Sequence, residues 1–91
     1  MNTKAVIIKV FGKVQGVGFR FYTQKKAQEL MLKGFVQNKA DGSVYIEAEG
    51  NADKLELFIL WCADGPSWAG VTKIEKQFVP VLGRDEGFLI K

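Results

Sequence analysis

Ninety-one residues allow one domain with one hydrophobic core, residues 1–91, near the lower end of comfortable independent folding. Thirteen basic residues against ten acidic leave a net charge of +3, scattered rather than clustered, which suits small anions and is weak for a nucleic-acid partner. The single cysteine, Cys62, rules out an internal disulfide, and no apolar run approaches bilayer length, so the expectation is a soluble cytoplasmic protein with no membrane contact.

Ala5 to Phe11 predicts a first strand, with Val6, Ile8 and Val10 on one face and Lys9 on the other. Gly12 to Arg20 follows as a loop holding Gly12, Gly16 and Gly18. Phe21 to Lys33 predicts a helix with Tyr22, Ala27 and Leu30 on a shared face, and Gly34 permits a turn into a second strand, Phe35 to Asn38. Lys39-Ala40-Asp41-Gly42 carries the Asp-Gly signature of a hairpin. Ser43 to Glu49 then alternates as a third strand, with Val44, Ile46 and Ala48 inward and Tyr45, Glu47 and Glu49 outward. Asn51 is placed to cap a second helix, Ala52 to Ala63, which Gly65-Pro66 stops. Val71 to Val79 predicts a fourth strand, and after a polar turn from Gly83 to Gly87, Phe88-Leu89-Ile90 adds a short last one. The order β-α-β-β-α-β with a small β appendix predicts an α+β, ferredoxin-like sandwich, a mostly antiparallel four-stranded sheet with both helices on one face.

The loop between the first strand and first helix concentrates the chemistry. Glycines let its backbone bend so that several N–H groups turn inward, and they leave no Cβ between that backbone and a ligand. The neighbouring helix N-terminus favours an anion, and Arg20 offers a fork matched to two phosphate oxygens. Alone, the pattern also fits a plain tight turn. It lacks the third glycine of a dinucleotide loop and the Lys-Ser/Thr ending of a nucleotide-triphosphate loop, so by itself it suggests an anion and names none.

Val14-Gln15-Gly16-Val17-Gly18-Phe19-Arg20, followed by Thr23, Ala27 and Leu30, resembles the first signature of the acylphosphatase family. Gly34-Phe35-Val36-Gln37-Asn38, then Asp41-Gly42, Val44 and Gly50, resembles the second, and Leu55, Phe58, Trp61, Gly65-Pro66, Ala69, Val71 and Phe88-Leu89-Ile90 extend the likeness along nearly the whole chain. The resemblance implies hydrolysis of the carboxyl–phosphate bond of small acyl phosphates without metal or cofactor. It implies that Arg20 and the backbone N–H groups of Gln15, Gly16, Val17, Gly18, Phe19 and Arg20 hold the phosphate, and that Asn38 orients the attacking water. Inorganic phosphate or another anion would bind the same loop. A noncatalytic acyl-phosphate-binding module is the alternative reading.

The residue inventory agrees with that chemistry. The chain has no histidine, Cys62 has Trp68 rather than an arginine six residues on, and the carboxylates are scattered, so imidazole, cysteine and two-metal phosphatase chemistries have no sequence basis. An acyl phosphate needs none of them. Its leaving group is a carboxylic acid of pKa about 4, which departs as an anion without a general acid. What remains is to hold the phosphoryl group and place a water in line. Thr23, one turn past Arg20, either supports the loop or bonds backward along its own helix.

Three departures from the family pattern stand out. Met31 sits where glycine is common, so either a non-glycine residue is left-handed there or the first helix runs on towards Gly34. Helix 52–63 is apolar nearly all round, which predicts a monomer shielded by the C-terminal segment, or weak self-association through this helix. Lys76 interrupts the fourth strand at an expected inward position, leaving its register open.

Overall fold

The period-two pattern of the strands becomes a five-stranded sheet in the computed structural model, which describes residues 2–91. The elements are β1 (Thr3–Lys13), α1 (Phe19–Glu29), β2 (Lys33–Asn38), β3 (Val44–Asn51), α2 (Ala52–Asp64), β4 (Gly70–Val79) and β5 (Phe88–Ile90). Their order across the sheet is β4-β1-β3-β2-β5. β1 pairs antiparallel with β3 and β4, β2 pairs antiparallel with β3, and β5 joins β2 in parallel, so the appendix makes the sheet mixed.

Both helices lie on one face, as the alternation requires. Val6, Ile8, Val10, Val36, Val44, Ile46 and Ala48 point into a core completed by Phe19, Ala27 and Leu30 from the first helical segment and by Leu55, Phe58, Ile59 and Cys62 from α2. Phe88 of β5 enters the same core and packs edge-on against Phe58, with ring centroids 6.0 Å apart. Asn51 caps α2 as its position implies, its side-chain oxygen accepting from the N–H groups of Asp53 and Lys54.

The first helix begins two residues earlier than expected and ends four earlier. Gly18 is its N-cap and Leu30 its C-cap, after which Met31 turns left-handed at φ 57°. Leu32 N–H bonds Ala27 C=O at 2.9 Å and Met31 N–H bonds Gln28 C=O at 3.1 Å, the paired closure of a Schellman motif. Met31 therefore makes the turn assigned to Gly34, and Gly34 lies inside β2, where a Cβ would strike the Glu47 carbonyl. Starting at Phe19 also rotates the helix. Phe19, Thr23 and Ala27 are buried, while Tyr22, expected inward, is 36% exposed.

Glu49 takes the outward side expected of it, but not the solvent exposure that side suggests. It faces away from the helices yet is only 4% exposed, because residues 80–87 cross that face between β4 at one edge and β5 at the other. Its carboxylate accepts from the N–H groups of Leu82, Gly83 and Arg84 and from Arg84 Nε, while Arg84 also pairs with Glu47. Burial pushes the Glu49 carboxyl up, but these donors and the guanidinium charge outweigh it and hold it below its ordinary value. Because the C-terminal segment takes this path, it does not shield α2, and Leu57 and Leu60 remain exposed.

Lys76 pairs with Ile8, which fixes the register of β4. Val71 and Ile74 pack against the core, but Lys76 and Phe78 stay in solvent on this edge strand, so the lysine has no burial to disturb.

Candidate functional site

β1 ends at Lys13 and α1 starts at Phe19, so Val14 to Gly18 make the whole connection. Gly16 and Gly18 both sit in the left-handed region, at φ 75° and 77°, where an L side chain is strained. A Cβ on Gly16 would meet nothing within 4 Å, so the loop backbone borders open space there. Gly18 caps the helix with no side-chain acceptor. Among the described residues, no main-chain N–H from Gln15 to Gly18 donates to a main-chain carbonyl, and helix geometry leaves those of Phe19 and Arg20 without partners as well. The loop thus retains a run of unsatisfied donors at the positive end of a helix.

Three contacts hold the loop in this shape. Val14 and Phe19 are each 1% exposed and root its two ends in the core. Trp68 Nε1 donates to the Val17 carbonyl at 2.5 Å. Gln15 Nε2 donates to the carbonyls of Lys39 and Ser43 at 2.7 and 2.9 Å, tying the loop to the turn between β2 and β3. That turn has its own lock, for Asp41 Oδ1 accepts from Ser43 N–H and Ser43 Oγ. The Ser43 hydroxyl, the Ser43 N–H and Lys9 together pull the Asp41 carboxyl down to about 2.

Asn38 is the last residue of β2, directly before this turn. Since Asp41 closes the turn, Asn38 is not consumed by it. Its Oδ1 is buried and without a hydrogen-bond partner, an arrangement that in folded proteins calls for an explanation. Gly16, Gly18, Arg20 and Asn38 all line one cavity of about 190 Å³, with Phe21 and Ile90 beside them. The structure therefore brings together Arg20, Asn38 and the glycine loop, which lie on separate elements. Arg20 Nη1 reaches the main-chain oxygen of Lys91 at 3.4 Å, a long contact that leaves most of its donors unspent.

Thr23 is fully buried, and its hydroxyl donates to the Phe19 carbonyl at 2.7 Å, one turn back along its own helix. Lys13 is exposed beside the loop. Cys62 is fully buried in α2 and burial raises its thiol far above the usual range, so it is no nucleophile. No carboxylate lines the cavity. A neighbouring hollow of about 180 Å³ between Phe35 and residues 84–87 collects no comparable set, its two cations lying over the Phe35 ring instead.

Four participants in this geometry escaped the sequence reading: the Gln15 side chain, Trp68 as a loop anchor, Phe21 and Ile90. Gln15 and Phe21 stand in or beside the glycine motif, but the Gln15 amide bonds carbonyls 24 and 28 residues on and Phe21 shares its cavity with Ile90, both beyond any local pattern.

The family model described as acylphosphatase matches residues 6–90. The chain is 52% identical to an acylphosphatase of Mannheimia succiniciproducens over 75% of its own length and 76% of the relative's. It is 44% identical to an acylphosphatase of Thermotoga petrophila over 97% of both chains. The solved structure of an acylphosphatase from Coxiella burnetii superposes with a TM-score of 0.92 at 34% identity, covering 99% of this chain and 94% of that one.

Proposed function

The chain belongs to the acylphosphatase family and hydrolyses acyl phosphates to a carboxylate and inorganic phosphate, and on that premise we propose which of its groups do so. The phosphoryl group sits on the N–H groups of Gln15 to Arg20, with the Arg20 guanidinium across its oxygens. Asn38 Oδ1 accepts a hydrogen bond from a water and so points that water's lone pair at phosphorus. As the water oxygen bonds to phosphorus, the bond from phosphorus to the acyl oxygen breaks and its electron pair leaves with the carboxylate. The water's proton passes to a phosphoryl oxygen, because an amide removes no proton at neutral pH. Thr23 supports the site through the first turn of α1, and neither metal nor cofactor takes part.

One observation carries this reading: the buried, unpartnered Oδ1 of Asn38 lines the same cavity as Arg20 and the glycine loop. A noncatalytic module that holds phosphate by backbone N–H groups and Arg20 needs donors and not this acceptor, whereas an attacking water needs one. Hydrolysis of acetyl phosphate by wild type, Arg20→Ala and Asn38→Ala, with and without chelator, tests the assignment. Each substitution should lower kcat/KM by about 10²–10³. Asn38→Ala should still be inhibited by inorganic phosphate, chelator should change nothing, and an alkyl phosphate monoester should be a poor substrate for want of a general acid. Activity surviving Asn38→Ala would assign the water to another group.

The protein would work as one cytoplasmic domain taking small acyl phosphates and phosphate itself, with no nucleic-acid partner. No helix among the described residues is long and apolar enough to cross a membrane. The exposed Leu57 and Leu60 on α2 favour a monomer with weak self-association, which light scattering across a concentration series would detect.

A further inference from the structure

The cavity that holds the glycine loop has a second kind of wall. Phe21 and Ile90, 56% and 41% exposed, stand beside its anion-binding end, and buried Val14 and Phe19 floor it. Phe21 is held in place although it faces solvent. Its ring meets Tyr22 edge-on with centroids 5.1 Å apart, and Tyr22 meets Trp68 in the same way at 5.1 Å. Trp68 in turn donates to the Val17 carbonyl of the loop. The exposed ring is thus braced, through two others, to the backbone that takes the phosphate. A braced ring loses little rotamer freedom when a ligand packs on it, which makes it an effective contact surface.

The charges point the same way. Arg20 is the one charged residue lining this cavity, and the phosphoryl group occupies it. Lys91, next after Ile90, lies over the Phe35 ring at 4.3 Å instead. An acyl tail with its own carboxylate or phosphate would meet no second cation in this lining, only apolar surface.

We infer that the site selects acyl phosphates whose acyl group is uncharged and apolar, with Phe21 and Ile90 as the residues that set this preference; the inference rests on the phosphate end of the cavity being the reacting end. Acetyl, isobutyryl and succinyl phosphate separate the terms, because acetic and isobutyric acids are leaving groups of nearly equal acidity and succinyl adds a carboxylate. Wild type should favour isobutyryl over acetyl phosphate by roughly tenfold in kcat/KM and disfavour succinyl phosphate. Phe21→Ala should draw the isobutyryl-to-acetyl ratio towards one, and Phe21→Lys should raise succinyl relative to isobutyryl phosphate. Ile90→Thr reads the same ratio from the other side of the mouth should a Phe21 variant fail to fold. Inhibition by inorganic phosphate, equal in all variants, reports an intact anion end. A wild-type ratio near one, or a ratio that the substitutions leave unchanged while phosphate still inhibits, would overturn the selectivity without touching the hydrolytic mechanism. Absence of hydrolysis of all three by phosphate-binding wild type would overturn that mechanism and this inference with it.

Discussion

Gln15 joins two pieces of chain that carry different parts of the site. Its backbone belongs to the glycine loop, while its side-chain amide holds the carbonyls of Lys39 and Ser43, on either side of the turn that follows Asn38. Removing that amide leaves every loop N–H in place but frees the loop to drift relative to Asn38, the residue proposed to hold the water. Displacements of about 1 Å can cost about 10²-fold in rate. Gln15→Leu should therefore lower kcat by roughly 10- to 100-fold, while the inhibition constant for inorganic phosphate changes only a few-fold. The losses of Gln15→Leu and Asn38→Ala should not add when combined, since both act through the same water. Steady-state kinetics on the two single variants and the double variant measure both; additive losses would make Gln15 a stabilising contact only. The motif made Gln15 visible as a loop residue, but its side-chain partners come from a turn 24 and 28 residues on.

At the scale of the element, α1 shows a local rule broken at its end. A Schellman closure wants glycine at the left-handed position, and the chain has Met31 there, 76% exposed and so unsupported by burial. Holding a non-glycine residue in that region costs about 1–2 kcal/mol, partly offset because methionine restricts the unfolded chain more than glycine does. Met31→Gly should stabilise the protein by about 1 kcal/mol, raising Tm by roughly 4–8 °C with activity unchanged, as calorimetry and the acyl phosphate assay would measure. The same helix shows why boundaries resist a sequence reading. Its start is set by Gly18 turning left-handed and its end by the bonds from Leu32 and Met31, both decided by φ angles rather than residue type. β4 teaches the complementary lesson. Lys76 sits at an inward-facing register position, but an edge strand is only partly covered, and the position tolerates charge.

Across the whole molecule, the least expected feature is the crossing of residues 80–87 over the open face of the sheet. It delivers β5 to β2, and so sets Phe88 in the core and Ile90 at the cavity. Glu49 is the clip, a buried carboxylate taking three backbone donors and a guanidinium. Replacing it by glutamine keeps shape and one acceptor but removes the charge that makes these bonds strong. Glu49→Gln should cost about 2 kcal/mol at pH 7 in denaturant unfolding. The sign of the pH dependence follows from a carboxyl held below its ordinary value. The folded state binds its proton less readily than the unfolded one, so the stabilisation is complete above the unfolded value near 4.5 and is lost as pH falls through the lower folded value. The gap between Glu49→Gln and wild type should thus narrow only below about pH 4.5. A gap that stays constant down to acid unfolding would mean that shape, not charge, holds the crossing.

Element order, the β2–β3 hairpin and the place of the glycine loop were legible because each rests on a local signal. Alternation assigns Val44, Ile46 and Ala48 to the core, Asp41-Gly42 marks a hairpin, and a glycine run between strand and helix leaves backbone donors free. Alternation placed Glu49 on the outer face, where it lies, but that residues 82–84 cover its carboxylate there was not legible. Whether an outward carboxylate meets water or a crossing chain depends on the path of a segment more than thirty residues away, and nothing in an alternating pattern records that path. The same holds at the site. The sequence alone determined that Arg20, Asn38 and three glycines exist at suitable intervals, since composition and spacing are all that local chemistry needs. Only the tertiary structure decided that Asn38 keeps an unpartnered acceptor, that Gln15 couples loop to turn and that Phe21 and Ile90 edge the cavity, because each is a contact between elements and depends on how the sheet and helices pack.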